Sequence, residues 1–191
     1  MSPPSEHEIR TLVAQVVDGL LADTPAAPDE SPSSEPVDGL STIAVGADHG
    51  GYPLKDFLAF RLRERGYQVV DCGTNSGDAV DYPDFAHAVA AKVATGECDY
   101  GIVVDGAGIG SAMVANKVPG VRAALCSDIS SARNSREHNH ANVLTLGAGL
   151  IGRSLALQIT EAWLDTPWAG GRHARRVDMI TEIEHRYRSG S

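Results

Sequence analysis

A carboxylate followed by three alternate glycines stands at the centre of this chain, in the run Asp105-Gly106-Ala107-Gly108-Ile109-Gly110-Ser111. The stretch before it, Gly101-Ile102-Val103-Val104, is apolar and rich in β-branched residues, and the stretch after it, as far as Lys117, reads as a helix. In an open α/β sheet, ligands sit outside the carboxyl ends of the strands, where glycines let backbone N–H groups at a helix start approach a phosphate or an oxyanion. The chemistry indicated is the holding of an anion. A tight strand-to-helix turn with no ligand uses the same glycines, so other residues must decide. Three further polar groups fall beside predicted strand ends: Asp48 and His49 after the first strand, Asp81-Tyr82-Pro83 after the second, and Arg136-Glu137-His138-Asn139 after the fourth. Each has a plainer alternative, Asp48 as a helix cap, Tyr82 as a packed aromatic and His138 as a helix-end histidine. Their shared location at strand ends is the stronger indication. The pair His138-x-His140 has no converging carboxylate or cysteine in the sequence, so no metal is expected.

The elements that must position these groups follow from periodicity. From residue 42 onward, β-rich runs near 42–47, 67–71, 101–105, 121–126 and 142–147 alternate with helical patterns near 53–65, 84–95, 110–117, 129–137, 151–165 and 174–187. That alternation predicts right-handed βαβ units and a doubly wound, three-layer α/β domain with a five-stranded parallel sheet over residues 42–191. The first βα turn, Ala47-Asp48-His49-Gly50-Gly51-Tyr52, lacks the G-x-G-x-x-G of a dinucleotide fold. A nicotinamide or flavin enzyme is therefore disfavoured.

Two segments precede that domain. Ile9, Leu12, Val13, Val16, Val17, Leu20 and Leu21 form one apolar stripe at helical spacing, which predicts an amphipathic helix within residues 1–23. Residues 24–41 hold four prolines among small polar and acidic residues and read as a flexible linker. Of the net charge of −9, residues 1–41 carry eight acidic side chains against Arg10 alone, which leaves the body nearly neutral. With no basic stripe, nucleic acid is not an expected partner, whereas the cluster Arg172, His173, Arg175, Arg176 matches a small anion such as a phosphate. No run approaches the length of a membrane span and no basic-then-apolar leader opens the sequence, so a cytoplasmic protein is expected. Cys72, Cys98 and Cys126 are odd in number and widely spaced, which suggests reduced thiols rather than a disulfide frame.

From about residue 42 to 187 the chain resembles the ribose-5-phosphate isomerase B and galactose-6-phosphate isomerase family. The resemblance rests on Gly46-Ala47-Asp48-His49-Gly50-Gly51, Asp81-Tyr82-Pro83, Gly106-Ala107-Gly108-Ile109-Gly110, Ala115-Asn116-Lys117, Arg136-Glu137-His138-Asn139 and Gly170-Gly171-Arg172-His173 with Arg175-Arg176-Val177-Asp178. It implies aldose–ketose isomerisation of a phosphorylated sugar with no cofactor: a histidine opens the ring, a base moves a proton between C2 and C1 through an enediolate, and backbone amides stabilise the oxyanion. By position, His138 would open the ring with Asp48 assisting at a ring oxygen, and Asp105, where one branch has its base, would either carry the proton or orient water or cap the loop in a subunit of lost or altered activity. Gly106, Gly108, Gly110 and Ser111 would form the cradle, Tyr82 and Asn139 would position the sugar, and His49 would border the site. Arg172, His173 and Arg176 would hold the phosphate and come from a neighbouring subunit, which implies a homodimer or a dimer of dimers.

Two positions depart from the pattern. One branch of the family has a cysteine base where this chain has Asp105, and another has a glutamate where it has Ser111; Asp105 and the stretch Ser111-x-Met113-Val114-Ala115 look like the A subunit of galactose-6-phosphate isomerase. A second phosphate-binding arginine of the ribose enzymes falls at Gly149. The N-terminal extension, outside the family match, resembles the peptides that direct enzymes to a shell or cargo protein of bacterial microcompartments, while its acidic face argues against a membrane. The same helix could instead fold back on its own domain or pair within the oligomer.

Overall fold

The computed structural model describes residues 41–188, and the predicted N-terminal helix and its linker as far as residue 40 lie outside them. Five strands form: β1 (Thr42–Ala47), β2 (Gln68–Asp71), β3 (Tyr100–Asp105), β4 (Ala123–Leu125) and β5 (Val143–Gly147). Helices α1 (Tyr52–Glu64) and α2 (Tyr82–Ala94) join the first three, and α3 (Ile109–Ala115) and α4 (Ile129–Glu137) flank β4. Helix α5 (Arg153–Leu164), a 3₁₀ turn at Gly171–His173 and α6 (Ala174–Arg188) follow β5. The strands are all parallel, in the order β2-β1-β3-β5-β4. The doubly wound sheet expected from the sequence is therefore present, with β5 placed between β3 and β4. Helix α2 begins at Tyr82, two residues before its predicted start, because Pro83 fits the first turn of a helix, where no N–H donor is needed.

Alternate residues of each central strand serve opposite faces, as a period of two requires. Ile43, Val45, Ile102, Val104, Leu144 and Leu146 pack with Leu54, Leu58 and Leu62 of α1 and with Ile159 and Trp163 of α5. Ala44, Val103 and Val143 face the other way, onto Ala86, Val89, Ala90 and Val93 of α2 and Ala115 of α3. Coverage of both faces explains why these strands read as near-continuous apolar runs. No described helix is long and apolar enough to cross a membrane.

This winding creates one special place. The chain leaves β1 toward β2 on one side, while β3 lies on the other, so a crevice opens between the carboxyl ends of β1 and β3. The Asp48 amide donates to the Val104 carbonyl across it, at 3.3 Å. Asp48 and Asp105 thus face the same mouth.

Candidate active site

The glycine loop is built around Asp105. Its carboxylate, 4% exposed, accepts hydrogen bonds from the amides of Ala107 (2.8 Å), Gly108 and Ser111 (3.1 Å) and from the Ser111 hydroxyl. Gly108 caps α3 at φ +76°, the left-handed region that glycine occupies without steric cost. A buried carboxylate without donors would be costly, and here the loop folds back to supply them. Both oxygens of Asp105 therefore point into the loop. Of the four donors only the Ser111 hydroxyl can rotate away, which makes Oδ2 the oxygen that can be released. The loop is held from behind by β5 and the turn after it: Thr145 Oγ1 donates to the Gly108 carbonyl (2.9 Å), and the amides of Ala148 and Gly149 donate to the carbonyls of Asp105 (2.8 Å) and Gly106 (2.9 Å). A Cβ at Gly149 would stand 2.9 Å from the Gly106 oxygen, so an arginine there would require the loop to shift. Thr145 was missed in the sequence, although a polar residue in the middle of an apolar strand is a legible signal.

Asp48 and Tyr82 join the same mouth. Asp48, partly buried, accepts from the Gly51 amide through Oδ1 (2.8 Å), and no other hydrogen bond of its carboxylate is found among the described residues. His49 is exposed, with Nδ1 3.3 Å from the backbone N and O of Val80. The Tyr82 ring lies over the glycine loop so closely that a Cβ at Gly110 would be 2.6 Å from it. Where Tyr82 positions the substrate, as the resemblance implies, Gly110→Ala should push the ring out and raise KM about tenfold, a loss of about 1.4 kcal/mol, within the usual range for an overpacked methyl. Steady-state kinetics on the folded variant check this, and an unchanged KM would separate Tyr82 from substrate binding.

His138 lies elsewhere. The sequence reading placed it beside a strand end with the other groups, but it caps the C-terminus of α4, and a helix that follows a parallel strand returns to the opposite end of the sheet. Its turn lies with residues at the amino ends of β3, β4 and β5: the Asn142 amide donates to the Arg122 carbonyl, and the Gly101 amide donates to the Asn142 carbonyl. Along strands of five or six residues this puts His138 on the order of 15 Å from the glycine loop. His173 is with it, its ring stacked on that of His138 at 4.2 Å and 8°. Arg172 Nε lies 3.3 Å from His173 Nε2, and Arg176 follows on α6. Asn139 is exposed beside His138. Burial, then the neighbouring His138, Arg172 and Arg176, hold the His173 pKa below the ordinary imidazole value. Asn134 Nδ2 lies 2.7 Å from His138 Nδ1 and orients that ring; the sequence reading overlooked it, although it stands one helical turn earlier, at i−4.

Within one chain these residues therefore form two separate groups. Asp48, His49, Tyr82, Gly106, Gly108, Gly110 and Ser111 surround Asp105 at the carboxyl end of the sheet, whereas His138, Asn139, Arg172, His173 and Arg176 gather at the amino end. The sequence-based division, in which only the 172–176 cluster came from a neighbour, is corrected: His138 and Asn139 go with that cluster.

A doubly wound sheet with a glycine cradle and a carboxylate at its β1/β3 switch point defines a small-molecule α/β fold of the anion-binding kind. The chain belongs to the ribose/galactose isomerase family, whose model matches residues 43–180. Among curated relatives it is 47% identical over 147 residues to ribose-5-phosphate isomerase B of Escherichia coli K12, covering 77% of this chain and 99% of that protein. It is 41% identical over 147 residues to D-erythrulose-4-phosphate isomerase of Pectobacterium atrosepticum, covering 76% and 97%. Among solved structures, that of Clostridium thermocellum ribose-5-phosphate isomerase B is similar, with a TM-score of 0.76, 53% identity and coverage of 76% of this chain and 99% of that one.

Proposed function

We propose that this protein is an aldose–ketose isomerase of a phosphorylated sugar, converting ribose 5-phosphate to ribulose 5-phosphate without a cofactor. The observation that carries the reading is the high similarity of the whole domain to enzymes of that name, with Asp48 and Asp105 at one mouth at the switch point. His138 protonates the ring oxygen as the C1 hydroxyl gives up its proton, with Asp48 assisting, and the open aldehyde forms. Asp105, with Ser111 turned away from Oδ2, takes the C2 proton; the C2–H electron pair becomes the C1–C2 double bond and the carbonyl pair moves to O1, which the amides of Gly106, Ile109 and Gly110, those of the loop that do not donate to Asp105, stabilise. Return of that proton to C1 and transfer of the O2 proton to O1 give the ketose.

The reading requires a second copy. Asp48 and Asp105 of one protomer and His138, Asn139, Arg172, His173 and Arg176 of its partner would make each site, in a homodimer or dimer of dimers with two-fold symmetry. Two features support it: the distance between the half-sites within one chain, and the exposed apolar residues Met179, Ile180, Ile183 and Tyr187 on α6, which buries only Val177. Ile180, Ile183 and Tyr187 with Val121 line a cleft of about 530 Å³.

Purified protein given ribose 5-phosphate without added metal should form ribulose 5-phosphate. The same assay on tetrose, pentose and hexose phosphates reads the preferred sugar length. Binding without turnover across that panel would instead identify a subunit that needs a base-bearing partner.

Residues 5–23, in this reading, are a targeting helix that brings the enzyme to a bacterial microcompartment, joined to the 42–191 domain by the 24–41 linker. The support is in the sequence: seven apolar positions on one stripe, and a linker too polar to recover its ordering entropy by packing. Deletion of residues 1–40 should leave the oligomer and kcat/KM unchanged, and residues 1–40 fused to a fluorescent protein should carry it to a shell. Dissociation of the truncated protein would assign the stripe to the oligomer.

A further inference from the structure

We infer that Arg136 and Arg122 are positioning residues that clamp the turn carrying His138 and Asn139. This rests on the reading of His138 as the ring-opening acid. Arg136 is 5% exposed, its guanidinium 4.7 and 5.0 Å from the Tyr100 and Trp163 ring centroids, which meet edge to face at 5.5 Å. Nη1 donates to the Ala141 carbonyl (2.6 Å) and Nη2 to the Tyr100 hydroxyl (3.1 Å), while Nε is buried with no partner. No carboxylate among the described residues pairs with it. An uncompensated buried cation is unfavourable, and an apolar side chain would fill the space between two aromatic rings at least as well. What an apolar side chain lacks is a donor for Ala141.

Arg122, half-buried, acts on the next carbonyl along the same turn. Its Nε donates to the His140 oxygen (2.8 Å), and its backbone N–H donates to Asn142 Oδ1 (2.7 Å). Burial and the nearby Arg136 push its pKa down, so two like charges are held close together here. The first of the two carbonyls they hold belongs to His140, the non-glycine residue with positive φ among those described, at +52°. Its ring stacks on Trp168 at 4.8 Å, and its amide donates to the Arg136 carbonyl (3.1 Å). A β-carbon in that region persists only where the surroundings over-determine the backbone. Two guanidinium groups, an aromatic stack and an amide bond do so here, directly after His138 and Asn139. The direction in which those two side chains leave α4 depends on the clamp.

The test uses the full chain and two measurements: turnover of ribose 5-phosphate, which needs ring opening, and solvent proton exchange at C1 of ribulose 5-phosphate, which is acyclic because its O5 is esterified. In Arg136→Met, kcat for ribose 5-phosphate should fall about 30-fold or more, as expected when an acid is displaced by a fraction of an ångström to an ångström. KM and the C1 exchange rate should change less than about threefold. Combined with His138→Ala, Arg136→Met should add nothing further, since both remove the same step. Should Arg136→Met fail to fold, Arg136→Lys and Arg122→Gln carry the same comparison. Wild-type kcat in folded variants, equal loss of exchange and turnover, or losses that multiply with His138→Ala overturn the clamp. Wild-type turnover by His138→Ala sinks the assignment of His138, and the inference with it.

Discussion

Asp105→Cys is expected to keep turnover of the sugar phosphate within about tenfold of wild type, whereas Asp105→Asn loses about 10²–10⁴-fold, the usual contribution of a positioned base. The two substitutions separate the role that the geometry shows for this carboxylate, anchor of the loop, from the one proposed for it, proton carrier. As proton carrier, Asp105 can be replaced by the thiol that one branch of the family uses at this position. As anchor of the loop it cannot, because a thiol does not accept from the amides of Ala107, Gly108 and Ser111 together with the Ser111 hydroxyl. The asparagine serves neither role well, since its NH2 faces donors on whichever side it is placed. Exchange of the C2 proton with solvent, measured beside calorimetric binding of ribitol 5-phosphate, reads the two roles apart. A Cys variant that binds and exchanges supports the base; one that has lost binding as fully as the Asn variant would leave Asp105 as the loop's internal anchor.

Mixing inactive Asp105→Asn protein with inactive His138→Ala protein should restore about a quarter of wild-type activity. In a two-fold dimer, random exchange makes about half of the molecules hybrid, and each hybrid has one of its two sites built entirely from wild-type halves. The expectation follows from the stacking of His138 on His173 at the amino end of the sheet, away from the glycine loop. By the same logic Asp105→Asn complements Arg172→Ala, but His138→Ala mixed with Arg172→Ala does not, because those two groups belong to one half-site. Activity recovered from that last pair, or none from the first once subunit exchange is confirmed by mass, would refute the division.

What the sequence determined by itself is local. Period-two and period-3.6 apolar patterns, read with the glycines and prolines between them, located all five strands and six helices of the described domain to within a few residues, because each pattern reflects a single element burying its own face. The glycine loop after β3 was legible for the same reason: a tight turn into a helix needs those residues wherever it stands. The tertiary structure decided what depends on partners distant in the chain. Placement of β5 between β3 and β4 is a choice among strand pairings that leave the same pattern in sequence. The engagement of both Asp105 oxygens depends on Ser111 folding back over the turn, and the exclusion of a side chain at Gly149 depends on a carbonyl 43 positions away in Gly106. Most consequential is His138, adjacent in sequence to a strand and its helix yet carried to the far end of the sheet by the length of α4. A helix antiparallel to its strand separates residues that a linear reading groups together, and only the assembled layers show which end of the sheet each one reaches.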